Sequence, residues 1–223
     1  MLDFGFYNMD CMDGMKEFPD GFFDLAIVDP PYGIHLKGKN VIKNKSDSDR
    51  VFNTEWDDSP PDKEYFIELM RVSKNQIIWG GNYFLENLGS CKAPIIWDKL
   101  NGNSLYADGE MAWTSKGLPK NLKIWRHQWC GAFKDSERGA IKIHPTQKPV
   151  ALYKWLLEHY AKPDDKILDT HVGSASSLIA CRECGFKYVG FEIDEDYYKL
   201  AQERLQAAEN QMNLFDFINP YQE

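Results

Sequence analysis

A mostly parallel β-sheet with helices on both faces is the fold class that the sequence predicts, and three observations predict it. Short unbroken apolar runs recur along the chain, helical patterns lie between them, and two of the runs end in tight turns of proline or small residues. An unbroken run reads as a strand buried on both faces, and strands alternating with helices imply parallel pairing. At 223 residues, 43% of them hydrophobic, the chain suits one domain over 1–223 with a full core.

In chain order, DLAIVD (24–29) is the first buried strand. Residues 33–60 follow as a polar stretch without period that ends in Ser-Pro-Pro, which reads as a mobile loop. Residues 62–73 put Tyr65, Phe66, Leu69, Met70 and Val72 largely on one face of a helix. QIIWG (76–80) and APIIWD (93–98) are two more buried parallel strands, and EMAWTS (110–115) is a further strand. Residues 116–148 are irregular, with isolated aromatics. A helix over 149–161 opens on Pro149 at a first-turn position and places Leu152, Trp155, Leu156 and Tyr160 at helical spacing. The strands KILDT (166–170) and KYVGFEI (187–193) flank a helix over 174–184 that Gly185 ends, and 195–209 is the last helix. Beyond about 210 the apolar residues have no period and predict no element.

The net charge of −8 is unevenly spread. Residues 33–50 carry Lys37, Lys39, Lys43, Lys45 and Arg50 against two aspartates, a local +3. Residues 116–148 carry eight basic side chains against Asp135 and Glu137, a local +6, which leaves −17 on the rest. Charged loops are often simply solvated; the sharper reading is contact with a polyanion, whose counterions lysine and arginine release. The first ten residues lack a basic flank before an apolar stretch, and no window has the apolar length of a membrane span. A soluble, cytoplasmic protein without membrane contact is expected. Of five cysteines only Cys181 and Cys184 are close, inside a predicted helix and without a second pair, so helix packing is expected there and no metal site.

Two motifs carry chemistry. Asp29-Pro30-Pro31-Tyr32-Gly33 stands at the carboxyl end of the first strand, where open parallel sheets bind ligands. Two prolines hold the backbone away from helix and fix the neighbouring carbonyls. A carboxylate beside such a carbonyl can accept two hydrogen bonds from one amino group. Those bonds favour the pyramidal, nucleophilic form of an amine conjugated with a ring. Tyr32 can stack on that ring. Side-chain amides are planar amines too, so the motif specifies the nucleophile better than the polymer, and a tight loop packed by an aromatic remains the plainer reading.

In the second motif, a strand runs through Asp169-Thr170-His171-Val172-Gly173-Ser174-Ala175 into a helix. Small residues let a ligand approach the backbone, and the helix start offers free N–H donors. The next strand ends Glu192-Ile193-Asp194, which places an acid to grip the hydroxyls of a ribose. The dinucleotide fingerprint G-x-G-x-x-G is absent, and other nucleotide binders share this unit. His171 is either a ligand contact or, as favoured here, part of the turn.

Together with NMDCMDG (8–14), IIWGGNYF (77–84), IIWDK (95–99) and His144-Pro145-Thr146-Gln147-Lys148-Pro149, these segments resemble, in order over nearly the whole chain, the permuted β class of DNA amino-methyltransferases. The resemblance implies a circularly permuted Rossmann-like methyltransferase fold, catalytic half first and cofactor half last. It implies S-adenosylmethionine as cofactor, double-stranded DNA as substrate, and transfer to adenine N6 at specific sites after base flipping. Cytosine N4 is the alternative acceptor, and a catalytically idle nucleic-acid-binding module with this fold is the reading from another class. An RNA or protein amine is a further possible acceptor.

By the same resemblance Asp29, Pro30, Pro31 and Tyr32 are the catalytic loop. Asp10, Cys11, Asp29, His144, Thr146, Gln147, Lys148, Asp169, His171, Gly173, Ser174, Ala175, Glu192 and Ile193 bind the cofactor. Lys37, Lys39, Lys43, Lys45, Arg126, His127 and Trp129 contact DNA. Residues 116–143 form a short target-recognition insertion, small enough to imply weak discrimination or a homodimer. The family's turn commonly reads D-P-F-x-G-S-G; Thr170, His171 and Ala175 depart from it, and Ala175 is expected to be compatible with a helix start.

Overall fold

Burial on both faces explains the apolar runs. In the computed structural model, which describes residues 1–35, 57–102, 107–130 and 133–218, every side chain of β2 (Leu25–Val28) is buried. Leu25 and Ile27 point to one layer, with Leu152 and Leu156 of α4 (Val150–Tyr160) and Leu178 of α5 (Ser176–Glu183). Ala26 and Val28 point to the other, with Tyr65, Phe66 and Leu69 of α2 (Lys63–Val72). β3 (Gln76–Trp79) divides in the same way: Ile77 and Trp79 go to the first layer and Ile78 to the second. With nothing facing water, no polar alternation is left in the sequence.

The first half also contributes β1 (Gly5–Asn8), α1 (Cys11–Lys16), α3 (Leu85–Leu88), β4 (Ile95–Asp98), β5 (Gly109–Thr114) and β6 (Lys123–Arg126). A hairpin of β7 (Trp129–Cys130) and β8 (Phe133–Lys134) follows. The second half contributes β9 (Lys166–Asp169), β10 (Lys187–Glu192) and α6 (Glu195–Ile218). The eight-stranded sheet runs β1-β10-β9-β2-β3-β5-β4-β6. Five of its pairings are parallel and two, β3 with β5 and β5 with β4, are antiparallel.

The order puts two strands distant in sequence side by side, with Leu25 opposite Ile167 and Ala26 opposite Leu168. From β9 the chain crosses through α5 to β10 on one side, and from β2 it crosses through α2 to β3 on the other. α5 packs in one core layer and α2 in the opposite one. Neighbouring strands whose connections diverge leave a crevice at their carboxyl ends. Asp29 and Asp169 both sit at that crevice.

Several expectations need correction. β4 is parallel only to the edge strand β6, because β5 returns antiparallel between it and β3. NMDCMDG contains the start of α1, with Asp10 as its N-cap accepting from Met12 N at 2.7 Å. Pro149 is the N-cap of α4 and stands one residue before its first turn; Glu137 reaches over to accept Val150 N at 2.7 Å. The last helix continues through the apolar tail to Ile218. Most of the expected mobile loop, and with it Lys37, Lys39, Lys43 and Lys45, lies outside the described residues. No helix among the described residues is long and apolar enough to cross a membrane.

Candidate active site

A cleft of about 260 Å³ opens at the crevice. Ten of the fourteen expected cofactor residues line it: Asp29, His144, Thr146, Gln147, Lys148, His171, Gly173, Ser174, Glu192 and Ile193. Pro31 lines it as well, with Tyr153 and Tyr197, which sequence periodicity alone presents as core residues of two helices. Four of the fourteen stand back from the cleft. Asp10 caps α1, and Cys11 packs against the second core layer, where burial first and Asp10 next push its thiol up to about 12. Asp169 is buried beneath the turn, accepting His171 N at 3.0 Å and the Ser177 hydroxyl. Burial pushes its carboxyl up to about 7 against those two bonds. Ala175 is fully buried and takes the left-handed conformation, φ +62°, at the N-cap of α5. A helix start is compatible with alanine there only at the cost of backbone strain, and the glycine common at this place would avoid it.

The cofactor turn is held by side chains that also face the cleft. Glu192 accepts Gly173 N at 2.8 Å and Asp194 N at 3.0 Å, bonds that pull the two strand ends together. Asn8 donates to the carbonyls of Glu192 and Ile193 at 2.8 and 3.2 Å, which brings the α1 start to the same rim. Gly173 has φ +56°, and a methyl there would stand 3.4 Å from the His144 ring. Burial lowers His144 to about 3, with help from Lys142 and Lys148, and burial lowers His171 to about 4, so both imidazoles are neutral at pH 7. His171 bonds the Thr170 hydroxyl at 2.9 Å and lines the cleft, so it is both turn and wall. Arg204 of α6 donates to Ser174 O at 2.6 Å and pairs with Glu137 at 3.2 Å, fastening the turn from behind.

The hexapeptide 144–149 stitches the site together. Gln147 uses its carbonyl side-chain oxygen to accept Ile143 N at 3.0 Å, and its main-chain oxygen accepts Trp129 Nε1 at 3.0 Å. Its amide nitrogen is buried, has no partner among the described residues and belongs to a residue lining the cleft. An unpaired buried donor favours a ligand that can accept from it. Lys148 O accepts the Ser176 hydroxyl at 2.7 Å. Lys148 Nζ turns to the catalytic loop, 2.5 Å from Asp29 Oδ2, 3.0 Å from Glu110 Oε2 and 3.3 Å from the Tyr32 hydroxyl.

The catalytic loop itself is tightly positioned. Tyr32 donates to Asp29 Oδ1 at 2.6 Å and stacks on Tyr83, ring centroids 5.0 Å apart and 16° from parallel. Buried Asp57 accepts Tyr32 N and Gly33 N at 3.0 and 3.1 Å. Burial raises the Asp29 carboxyl above its ordinary range, Lys148 opposing and Glu110 reinforcing. Burial would also raise Glu110, but Lys148 and Lys99 overcome it and hold it at about 2. Glu110, Lys99, Asp57 and Tyr83 belong to the site but not to the expected site residues; Glu110 carries a signal, a charge inside the apolar strand EMAWT, and Tyr83 and Lys99 lie in segments read only as strands.

Gly80 supports this loop, and the strain is testable. It has φ +70°, and a methyl there would lie 2.2 Å from the Tyr32 ring. Gly80→Ala is expected to lower stability by about 1–3 kcal/mol and to reduce turnover by displacing Tyr32 from Asp29. Thermal melting and a transfer assay check it; an unchanged melting temperature would mean that the loop yields freely.

Of the expected DNA contacts among the described residues, Arg126 alone faces solvent, its side chain 63% exposed and 3.4 Å from Asp98. His127 stacks on Trp125 with ring centroids 4.5 Å apart and bonds the Ser136 hydroxyl at 2.9 Å. Trp129 packs against the core and donates to Gln147 O. Both brace the short edge strand and the hairpin.

The crevice, the cleft and the order of the halves define the class: this is a circularly permuted Rossmann-like methyltransferase fold, its sheet mixed and its helices on both faces. A family profile described as DNA methylase, N6/N4 type, matches residues 93–203. The type II methyltransferase M.HinfI of Haemophilus influenzae is 25% identical over 94% of this chain and 70% of its own length. Among solved structures, the M1.HpyAVI–SAM complex gives a TM-score of 0.58 at 21% identity, over 90% of this chain and 98% of that one. The PvuII DNA methyltransferase (cytosine-N4-specific) gives 0.56 at 13% identity, over 95% and 93%. The chain belongs to the N6/N4 DNA methylase family, the S-adenosylmethionine-dependent DNA methyltransferases.

Proposed function

We propose that this protein transfers the methyl group of S-adenosylmethionine to the N6 amine of adenine at specific sites in double-stranded DNA. The observation that carries the reading is the position of Asp29. Its carboxylate lines the same cleft as Gly173, Ser174 and Glu192 of the cofactor turn. Gly173, Ser174, Glu192 and the unpaired amide of Gln147 are assigned to the cofactor, with Glu192 on the ribose. When bound, the cofactor supplies a methyl already activated on sulfonium sulfur, so the protein's task is alignment and exclusion of water.

A base cannot reach the cleft from within a duplex and must be flipped out. Asp29 and the Pro30 carbonyl then accept from its amine and turn the nitrogen lone pair toward the methyl. Tyr32, backed by Tyr83, supports the ring with its remaining face. The amine sheds its proton after attack, so Asp29 need not be a strong base beforehand. Arg126 and the lysines of 37–45 are assigned to DNA phosphates, and the segment 116–143 to site choice.

Incubation with unmethylated genomic DNA, digestion and nucleoside mass spectrometry test the reading: N6-methyladenine is expected. N4-methylcytosine alone would replace adenine with cytosine as the acceptor, since the amine chemistry is shared. Cofactor binding with no transfer to any DNA would leave an idle binding module. Sequencing the modified bases then gives the recognition site.

A further inference from the structure

Asp29, Lys148, Glu110 and Lys99 form a chain of four buried or half-buried charges among the described residues. Lys148 is 5% exposed and bridges two carboxylates, Asp29 Oδ2 at 2.5 Å and Glu110 Oε2 at 3.0 Å. Glu110 in turn pairs through its other oxygen with Lys99. Lys148 also lies 5.8 Å from the centroid of the Tyr32 ring and 5.6 Å from that of Trp79, aromatic faces that tolerate a cation.

This arrangement competes with the assigned chemistry. Tyr32 donates to one oxygen of Asp29 and Lys148 to the other, so about half of the carboxylate's acceptor positions are taken, one of them by a cation, whereas the proposed function needs Asp29 to accept from an incoming amine. Attack on the methyl also gives the amine nitrogen positive charge, which a lysine held at 2.5 Å from the same carboxylate opposes.

We propose that Lys148 is a displaceable cation on Asp29 and that Glu110 is the seat that receives it when the base amine arrives. Lys148 and Glu110 are thus positioning residues: they touch neither the methyl nor the amine, and they set when Asp29 is free to accept. Lys99 tunes the exchange by competing for Glu110. This inference rests on Asp29 being the acceptor of the amine.

The titratable groups facing Asp29 are Tyr32 of its own loop, Lys148 before α4, Glu110 of β5, Tyr65 of α2, Tyr153 of α4 and Asp169 of β9. The tyrosines are held protonated by burial, well above their ordinary range. Asp169, raised to about 7 by burial, is bonded to His171 N and the Ser177 hydroxyl and titrates alike in every variant, which leaves the two lysines and Glu110 as the charges to vary.

The test follows methyl transfer from radiolabelled S-adenosylmethionine to unmethylated genomic DNA as a function of pH, with thermal melting as a check on folding. Lys148→Met removes the cation from Asp29 and should move the acid limb of kcat/KM upward by about one pH unit or more. Glu110→Gln leaves Lys148 no seat but Asp29; it should move that limb downward and lower kcat severalfold, with Glu110→Asp restoring part of the loss. Lys99→Met strengthens Glu110's hold on Lys148 and should move the limb upward, so it carries the test if Lys148→Met does not fold. A purely structural role would lower activity without shifts of opposite sign. Limbs that stay put, or move in one direction for all variants, overturn the proposal. Asp29→Ala, which removes the acceptor, distinguishes this from failure of the underlying reading: if it turns over normally, Asp29 is not the acceptor and that reading falls first.

Discussion

Replacing Asp29 with alanine is expected to reduce methyl transfer by on the order of 10³-fold or more while cofactor affinity stays within a few fold. The carboxylate lies on the catalytic side of the cleft, and its bonds run to Tyr32 and Lys148, with none to the cofactor turn. Removing one partner of a buried ion pair can cost 3–5 kcal/mol when the other charge is left alone, on the order seen for such pairs. Lys148 keeps Glu110 at 3.0 Å, so the loss of stability should fall below that range. Asp29→Asn, which preserves volume and one acceptor oxygen, should be better folded and keep more of the transfer than alanine. Near-normal turnover of Asp29→Ala would remove Asp29 from the mechanism.

Glu192→Ala is the second large effect expected. Loss of charge-assisted bonds to the ribose should weaken S-adenosylmethionine binding by about 1.5–3 kcal/mol, roughly 10- to 150-fold. The geometry adds a second route to the same outcome, because the carboxylate also holds Gly173 N and Asp194 N. Glu192→Gln gives up the charge and, because each oxygen accepts one of these bonds, one of the two turn bonds. If Gln binds cofactor nearly normally, the charge is not what holds it; if it binds as weakly as Ala, the charge or the lost turn bond is. Calorimetry showing unchanged affinity for Ala would move the ribose contact elsewhere.

What could be read from the sequence follows from how locally each feature is encoded. Strands β2, β3, β9 and β10 are visible because two-sided burial leaves runs such as LAIV and QIIW. β1 and β6 are not, since GFYN and KIWR sit at the two sheet edges, where one flank is unpaired and the pattern mixes with solvent. The antiparallel turn of β5 depends on which neighbour it finds, a matter outside its six residues. Within the site, Asp29, Gly173 and Glu192 announce themselves because their roles depend on backbone chemistry next to them. Lys148 was legible only as part of a motif; its pairing with Asp29 and Glu110 spans separate elements. Glu110 alone in a strand could as well have faced water. His127 and Trp129 lie in a basic, irregular segment that suggests a surface, and only tertiary packing turns their rings inward.

The sheet order also bears on how the chain reaches this state. β1, synthesised before the other strands of this sheet, pairs with β10 among the described residues, and β2 needs β9 along one side. Until residues 166–192 are synthesised, the middle of the sheet is missing and both early strands present open edges. Such non-local pairing slows folding and exposes strand edges to aggregation. Acquisition of structure should therefore be concerted and late, with chains arrested before Lys166 sticky and sensitive to protease. Even Asp29, made well before β9, comes to lie beside Asp169 only once β9 has been inserted next to β2.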